Sequence, residues 1–490
     1  MSKRVLYRAR WVLGHKDGQH RLIENGEVEV TGNTVSYVGP ERANPSDDTE
    51  LRSFDGGLLL PGFISSHAHI CNHLGDRMLA DTGRLDLFGC GFLNYLPAGR
   101  DGRGFLDADD PETSVRFGVG ELLKSGVTTV VELGGEVGGN TDVMVDIAGE
   151  MGIRAYITPG FASAHYEFEK DTGRLGYDWL EDDGDAQFDT ALEAAQRYNG
   201  MYDDRIRGIL VPVETVLSSR RLLERTAEES VRHNLPVTLH VAETIWEFHE
   251  MVRREGTTPL GMLGECGLLA PHVILGHSLF YGGHSQTGFP RVGDLEKIAA
   301  SGAHVSHTPF VFARRGIKLE NFQKYEEMGI NITLGTDSYP QDMLNEMRFA
   351  SIIGKLCEQD FRAASVRSVM NAATVNGAKA LGRDDIGRLE VGTKADLVVV
   401  DMDRFRFGPM LDPIKMLVHI GSAGDVEHVM VDGIVRVDQG RLTMLDEADL
   451  LRKVRAAGER VYGQFDQYHY GGASVEQFAP PAFANWRQGG

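Results

Sequence analysis

PGFISSHAHI, residues 61–70, closes an apolar run with two histidines one residue apart, His67 and His69. Successive side chains of a β-strand point to opposite faces, so an H-x-H pair sends both imidazoles to one side. Taken alone, the pair serves a metal ion or serves nothing, because two histidines at a strand end are also stable in water. What the other strands carry at the same end decides between the two.

Outward from this stretch the chain alternates apolar strands with helical segments. The strands read GFISSHAHI, GVTTVVEL, GIRAYITPG, IRGILVPV, LPVTLHVAE, HVILGHS, GAHVSHTP and INITLGTDS, with stretches such as PETSVRFGVGELLKS and RRLLERTAEESVRHN between them. Such an alternation supplies the crossovers of a parallel sheet, and eight repeats predict an α/β fold, a (β/α)8 barrel of the TIM type. Before it, VLYRARWVLG, GEVEVTG and NTVSYVGP read as short strands; after it, GRLEVGTKADLVVVDMD and VEHVMVDGIVRVDQG do so again. The two ends are therefore expected to pair into a small composite β-sandwich. The expected division is 1–58 and 386–445 for the two parts of the sandwich, 59–385 for the barrel, and 446–490 for a C-terminal helix and tail.

Composition bounds the function. With 490 residues, 42% of them apolar and 25% charged, the chain is long enough for a folded barrel of ~250 residues plus extra parts. No run approaches the ~18 apolar residues of a membrane span, and the start MSKRVLYRARWVLG lacks a signal-peptide core, so a cytoplasmic location and no membrane partner are expected. Four scattered cysteines form no C-x-x-C, which argues against a disulfide framework and a thiolate zinc site and leaves His, Asp and Glu as the expected metal ligands. A net charge of −21 disfavours nucleic acid and admits a neutral or cationic small-molecule substrate.

Polar residues recur where a packed strand end would not want them: His67 and His69 on the first strand, His240 on the fifth, His277 on the sixth and Asp337 on the eighth. His69 and His240 are 171 residues apart, His240 and His277 37, and His277 and Asp337 60, which fits four, one and two strand–helix units. All five would share the C-terminal rim, where such barrels build their sites. Three imidazoles and a carboxylate suit one divalent transition metal, zinc foremost and iron, manganese or cobalt besides, with a position left for a water. Asp337 can take a proton from that water. Glu243, in HVAE, can bring one to a departing amine, and His277 can hydrogen-bond the water or the oxyanion.

PGFISSHAHI, TLHVAE, ILGHS and LGTDS, followed by NAATVNGAKALG and GRLEVGTKADLVVV, resemble the amidohydrolase superfamily over nearly the whole chain. Within it the chain is similar to the branch of cytosine, guanine and S-adenosylhomocysteine-type deaminases and triazine hydrolases. That resemblance implies one metal held by His67, His69, His240 and Asp337, with Glu243, His277 and Asp337 as catalytic residues. The fourth strand, RIRGILVPVET, contains no lysine to bridge a second ion.

The pattern also departs from that branch. Where P-H-A-P-Y is usual, VPVETVLSS puts Val213 in the place of the histidine, followed by Glu214; where H-x-P-x-S-N is usual, HTPFVFARRG brings Phe310, Phe312, Arg314 and Arg315. The long aromatic segment 71–110 has the make-up of a lid. These departures argue against a nucleoside and toward a smaller or more apolar substrate. The expected function is attack of a metal-activated water on an sp2 carbon bonded to nitrogen, deaminating a small heterocycle. The alternatives are displacement of an alkylamine, halide or thiol from a triazine- or carbamate-like compound, or a scaffold relative without activity. A homo-oligomer is expected from the resemblance and the apolar C-terminal helix.

Overall fold

The computed structural model describes residues 4–42, 49–71, 74, 77, 80–82, 110–133, 141–169, 172–484 and 486. Most of the 71–110 segment, and with it the lid expectation, lies outside them.

Each of the eight predicted strands is present: Phe63–Ala68, Val127–Glu132, Arg154–Tyr156, Ile206–Arg207, Val237–Val241, Val273–His277, His304–His307 and Asn331–Leu334. The first four form one parallel sheet and the last four another, each in chain order. Main-chain bonds join the two sheets along both edges. Between the first and eighth strands, the His69 N–H donates to the Asp337 carbonyl at 2.9 Å and the Asp337 N–H to the His67 carbonyl at 3.0 Å. Between the fourth and fifth, the Thr238 N–H donates to the Leu210 carbonyl at 3.0 Å and the His240 N–H to the Val213 carbonyl at 3.1 Å. Phe63, Val130, Ala155, Leu239, Leu275 and Val305 are buried in the core that these strands build.

The fourth strand is shorter than its sequence suggests, and its own residues explain why. Gly208 lies against Ala195 so closely that a Cβ there would be 2.2 Å from the carbonyl oxygen, and Pro212 has no N–H for a ladder. The crossover helices follow their local signals. Arg220–His233 begins at Ser219, whose hydroxyl accepts from the Leu222 N–H, buries Leu222, Leu223, Thr226 and Ser230 at helical spacing, and stops at Asn234 in the left-handed region.

Strands from both chain ends share one eight-stranded sheet, in the order Arg441–Leu442, Ile434–Asp438, Val426–Val431, Leu397–Asp401, Glu50–Pro61, Arg4–Lys16, Gln19–Thr31, Thr34–Pro40. Its two halves meet where Leu397–Asp401 runs antiparallel to Glu50–Pro61, Val398 opposite Leu60. Tyr7, Val12, Val28, Leu59, Val399 and Met430 form its apolar interior. The expected C-terminal helix spans Glu447–Gly463, and its apolar face of Leu450, Val454 and Ala457 is covered by Leu74 and Phe117 of the same chain. The oligomer expectation thus loses the support it drew from this helix. Among the described residues no helix is long and apolar enough to cross a membrane.

Arg154, fully buried on the third strand, ties the parallel strands to the terminal sheet. It donates through Nε and Nη2 to the two carboxylate oxygens of Asp396 at 3.1 and 3.2 Å, and lies 3.5 Å from Asp432. Removing one partner of a buried pair strands the other charge, at a cost of about 3–5 kcal/mol. We expect Asp396→Ala to lower the urea midpoint by that much stability with an unchanged m-value; a loss under about 1 kcal/mol in equilibrium unfolding would refute the role of this pair.

Candidate active site

The two H-x-H imidazoles lie at the first seam, His240 at the second, and His277 and Asp337 at the ends of the sixth and eighth strands. All five come together. Ligand atoms of His67, His69 and His240 lie within 4.8 Å of one another, as do those of His67, His277 and Asp337, so His67 belongs to both triads. The structure therefore groups Asp337 with His277 as closely as with the histidines expected to ligate. Its carboxylate lies 3.9 Å from Nε2 of His69 and 3.9 Å from Nε2 of His277.

Hydrogen bonding fixes what the rings present. His240 donates Nδ1–H to the Val213 carbonyl at 2.7 Å, so the Nε2 of its neutral ring is a bare lone pair, and that atom faces Nε2 of His69 at 3.2 Å. The gap holds a proton or a cation. Two nitrogens about 2.0–2.1 Å from one tetrahedral ion stand about 3.3 Å apart, so the spacing fits a metal. His67 adds the stronger test: it is fully buried, and neither of its ring nitrogens has a hydrogen-bond partner. Such a group is costly unless something binds its lone pair. Burial pushes His69 and His240 down to about 4, and His67 and His277 well below the ordinary imidazole range, with help from the neighbouring rings. The cluster is neutral and ready to ligate.

Close packing holds the rings in place. A Cβ on Gly276 would fall 2.8 Å from His67 Nδ1, and one on Gly335 would fall 2.6 Å from His67 Cβ. Ala242, His277, Ser278 and Asp337 take positive φ of 51°, 71°, 46° and 56° at the ends of their strands, conformations that cost non-glycine residues of order 1–3 kcal/mol and gather at functional sites. His277 Nδ1 pairs with the Thr308 hydroxyl at 3.0 Å, and the same hydroxyl bonds Asp337. With the hydroxyl donating to the carboxylate, Nδ1–H of His277 is the donor to it, and Nε2 faces the site as an acceptor.

Glu243 is buried at the start of the loop after the fifth strand, and its carboxyl is pushed up to about 8 by burial and by the nearby Asp337. The sequence offered no role for Glu247, but the structure does. Its carboxylate accepts from the Ala242 N–H at 2.9 Å and the Glu243 N–H at 2.7 Å, clamping the turn that carries Glu243. Thr244 caps the helix Ile245–Glu255 by accepting from the Glu247 N–H. T-I-W-E has the spacing of a capping box, a signal that could have found Glu247. Glu132, at the end of the second strand, likewise holds the Ile70 N–H at 2.7 Å, one residue beyond His69.

The departures now have positions. The Val213 carbonyl orients His240, while Glu214 accepts from the Tyr166 hydroxyl at 2.6 Å. Tyr166 belongs to a hairpin, Ala164–Phe168 with Leu175–Trp179, that the sequence reading missed; its Tyr177 stacks on Trp246 at 6.3 Å. HTPFVFARRG contains a helix, Pro309–Ala313. Phe312 is buried with its ring edge-on to His277 at 4.8 Å, whereas Phe310 packs on Phe349, away from the histidines.

A family model described as the amidohydrolase family matches residues 58–435. The chain belongs to that family. This amidohydrolase is 27% identical over 443 residues, 90% of its length and 94% of the relative's, to a 5'-deoxyadenosine deaminase of Methanosarcina acetivorans. It is 30% identical over 434 residues, 87% and 91% of the two chains, to a 5-methylthioadenosine/S-adenosylhomocysteine deaminase of Halobacterium salinarum. An atrazine chlorohydrolase of Arthrobacter aurescens, solved with zinc, shares its fold with a TM-score of 0.78 at 22% identity, covering 93% of this chain and 100% of that one. An adenosine deaminase of Xanthomonas campestris with bound zinc does so with a TM-score of 0.75, also at 22% identity, covering 93% and 98%.

Glu247→Ala strands two buried N–H groups, at about 1–3 kcal/mol each, and frees the turn that carries Glu243. We expect a measurable loss of stability in urea with metal binding by the histidines retained; full stability in the variant would rule out the clamp.

Proposed function

We propose that this amidohydrolase is a metal-dependent aminohydrolase that deaminates a small heterocycle at an sp2 carbon, in a site at the rim of a closed (β/α)8 barrel capped by a composite β-sandwich. The facing Nε2 atoms of His69 and His240, 3.2 Å apart, beside a fully buried His67 without any hydrogen-bond partner, carry the reading. His67, His69, His240 and Asp337 would hold one divalent transition ion, with zinc the first choice for nitrogen and carboxylate ligands. Such an ion, when bound, supplies a water acidified into the neutral range.

The chain's own groups then handle the protons. Asp337, between His69 and His277, takes the proton the water gives up. The acceptor Nε2 of His277 orients the water and then accepts a hydrogen bond from the hydroxyl formed on the carbon, whose proton passes to the adjacent ring nitrogen as the product's carbonyl forms. Glu243 begins the cycle as an acid, because its carboxyl stays protonated up to about pH 8. It delivers its proton to the amine nitrogen as the carbon–nitrogen bond breaks, since an unprotonated amide is a poor leaving group. Ammonia leaves, and the proton taken from the water restores the balance. Phe312 walls one side of His277 and keeps bulk water from it.

Elemental analysis of the purified protein is expected to find about one transition ion per chain, lost in His240→Ala and Asp337→Ala. Absence of metal even after growth with added zinc, iron or manganese would defeat the proposal. With metal retained, Glu243→Gln should lower the rate of ammonia release about 10²–10⁴-fold. In the wild type, kcat should hold below about pH 8 and fall as the pH rises through that value, because the acid form of Glu243 is lost there. A kcat that rises across that range would show that Glu243 works as the carboxylate instead.

A further inference from the structure

The two arginines after the helix Pro309–Ala313 diverge. Arg314 is occupied: its guanidinium lies over the Tyr339 ring at 4.0 Å and donates to the Tyr339 carbonyl at 3.3 Å and the Ser338 hydroxyl at 3.4 Å. Arg315 turns into the site instead. Its side chain is 11% exposed, its Nη1 lies 4.0 Å from Glu243 Oε1, and its charge acts on Asp337, Glu243 and His277 alike. A guanidinium carries five N–H donors and stays charged at any physiological pH. Among the described residues none of the five reaches an acceptor at hydrogen-bond distance. None of its nitrogens is sealed off without a partner, so these donors remain open beside Glu243, where a ligand can take them.

We propose that Arg315 anchors an anionic substituent of the substrate, a carboxylate on the ring atom next to the carbon that loses its amine. The inference rests on the aminohydrolase reading, which places the departing nitrogen at Glu243. With Nη1 4.0 Å from that carboxyl, Arg315 is within reach of a substituent beside the departing nitrogen. The planar fork of the guanidinium matches a carboxylate with two parallel hydrogen bonds, a fit that a ring nitrogen or an alkyl group cannot offer. The net charge of −21 had suggested a neutral or cationic substrate. Surface charges beyond a Debye length of about 8 Å are screened, however, whereas a cation inside the site is not.

The test is titration calorimetry on the zinc-loaded protein with two probes, 4-aminopyrimidine-5-carboxylate and its 5-carboxamide. The wild type should bind the acid about ten- to a hundred-fold more tightly, the worth of a charge-assisted hydrogen-bonded pair. Arg315→Gln should erase that preference by weakening the acid far more than the amide, and Arg315→Lys should restore only part of it, because a lysine keeps the charge without the fork. Equal affinities in the wild type, no binding of either probe, or a preference that survives in Arg315→Gln and so belongs to the metal, would each overturn the assignment. So would an equal loss for both probes in the variants, which would mean that Arg315 acts only through Glu243. Ammonia release is measured separately. An acid bound through Arg315 but not deaminated refutes the aminohydrolase reading and leaves the anchor standing.

Discussion

The seam between the first and eighth strands is the constraint on which this molecule turns. Residue 337 is fastened by its N–H to the carbonyl of residue 67 and by its carbonyl to the N–H of residue 69. The bonds that join the two sheets are therefore the bonds that set two histidines against an aspartate. At the opposite seam the Val213 carbonyl accepts from both the main chain and the ring of His240. The contacts that join the sheets and those that bring the cluster together are the same, and a register slip at either seam would scatter the cluster.

Burial does opposite things to the two kinds of titratable group gathered there. It drives the imidazoles down and the carboxyls of Asp337 and Glu243 up, because a charged form of either loses its hydration. The cluster is thus a set of neutral imidazoles beside reluctant carboxylates. A divalent cation would resolve both halves, and on the proposed mechanism Asp337 would ionise beside it while Glu243 would keep its proton for the departing nitrogen. On that proposal one environment gives two carboxylic acids two different duties.

Much of this was legible in the sequence, and what was not has a physical reason. The eight strands show themselves because each is a buried apolar run bounded by turns, and the five rim residues because they break those runs at the same end. The hairpin Ala164–Phe168 with Leu175–Trp179 escaped because its pairing depends on a turn and on contacts with Trp246, distant in the chain. The fourth strand was read too long because Pro212 and the close approach at Gly208 interrupt a run that looks continuous. Glu247 reads as an ordinary helix acid until the turn folds back onto it. For Arg314 and Arg315, adjacent and chemically identical, only the end of the short helix before them decides which serves the scaffold and which faces the site.

Gly276 and Gly335 leave His67 no slack, and this bears on how the chain can change over generations. A side chain at either position, even a methyl group, displaces the one imidazole shared by both triads, so substitution there disturbs the cluster directly. The hairpin, the helix Pro309–Ala313 and Arg315 carry no such prohibition. Change is thus tolerated more readily in the parts around the cluster than in the strands that hold it.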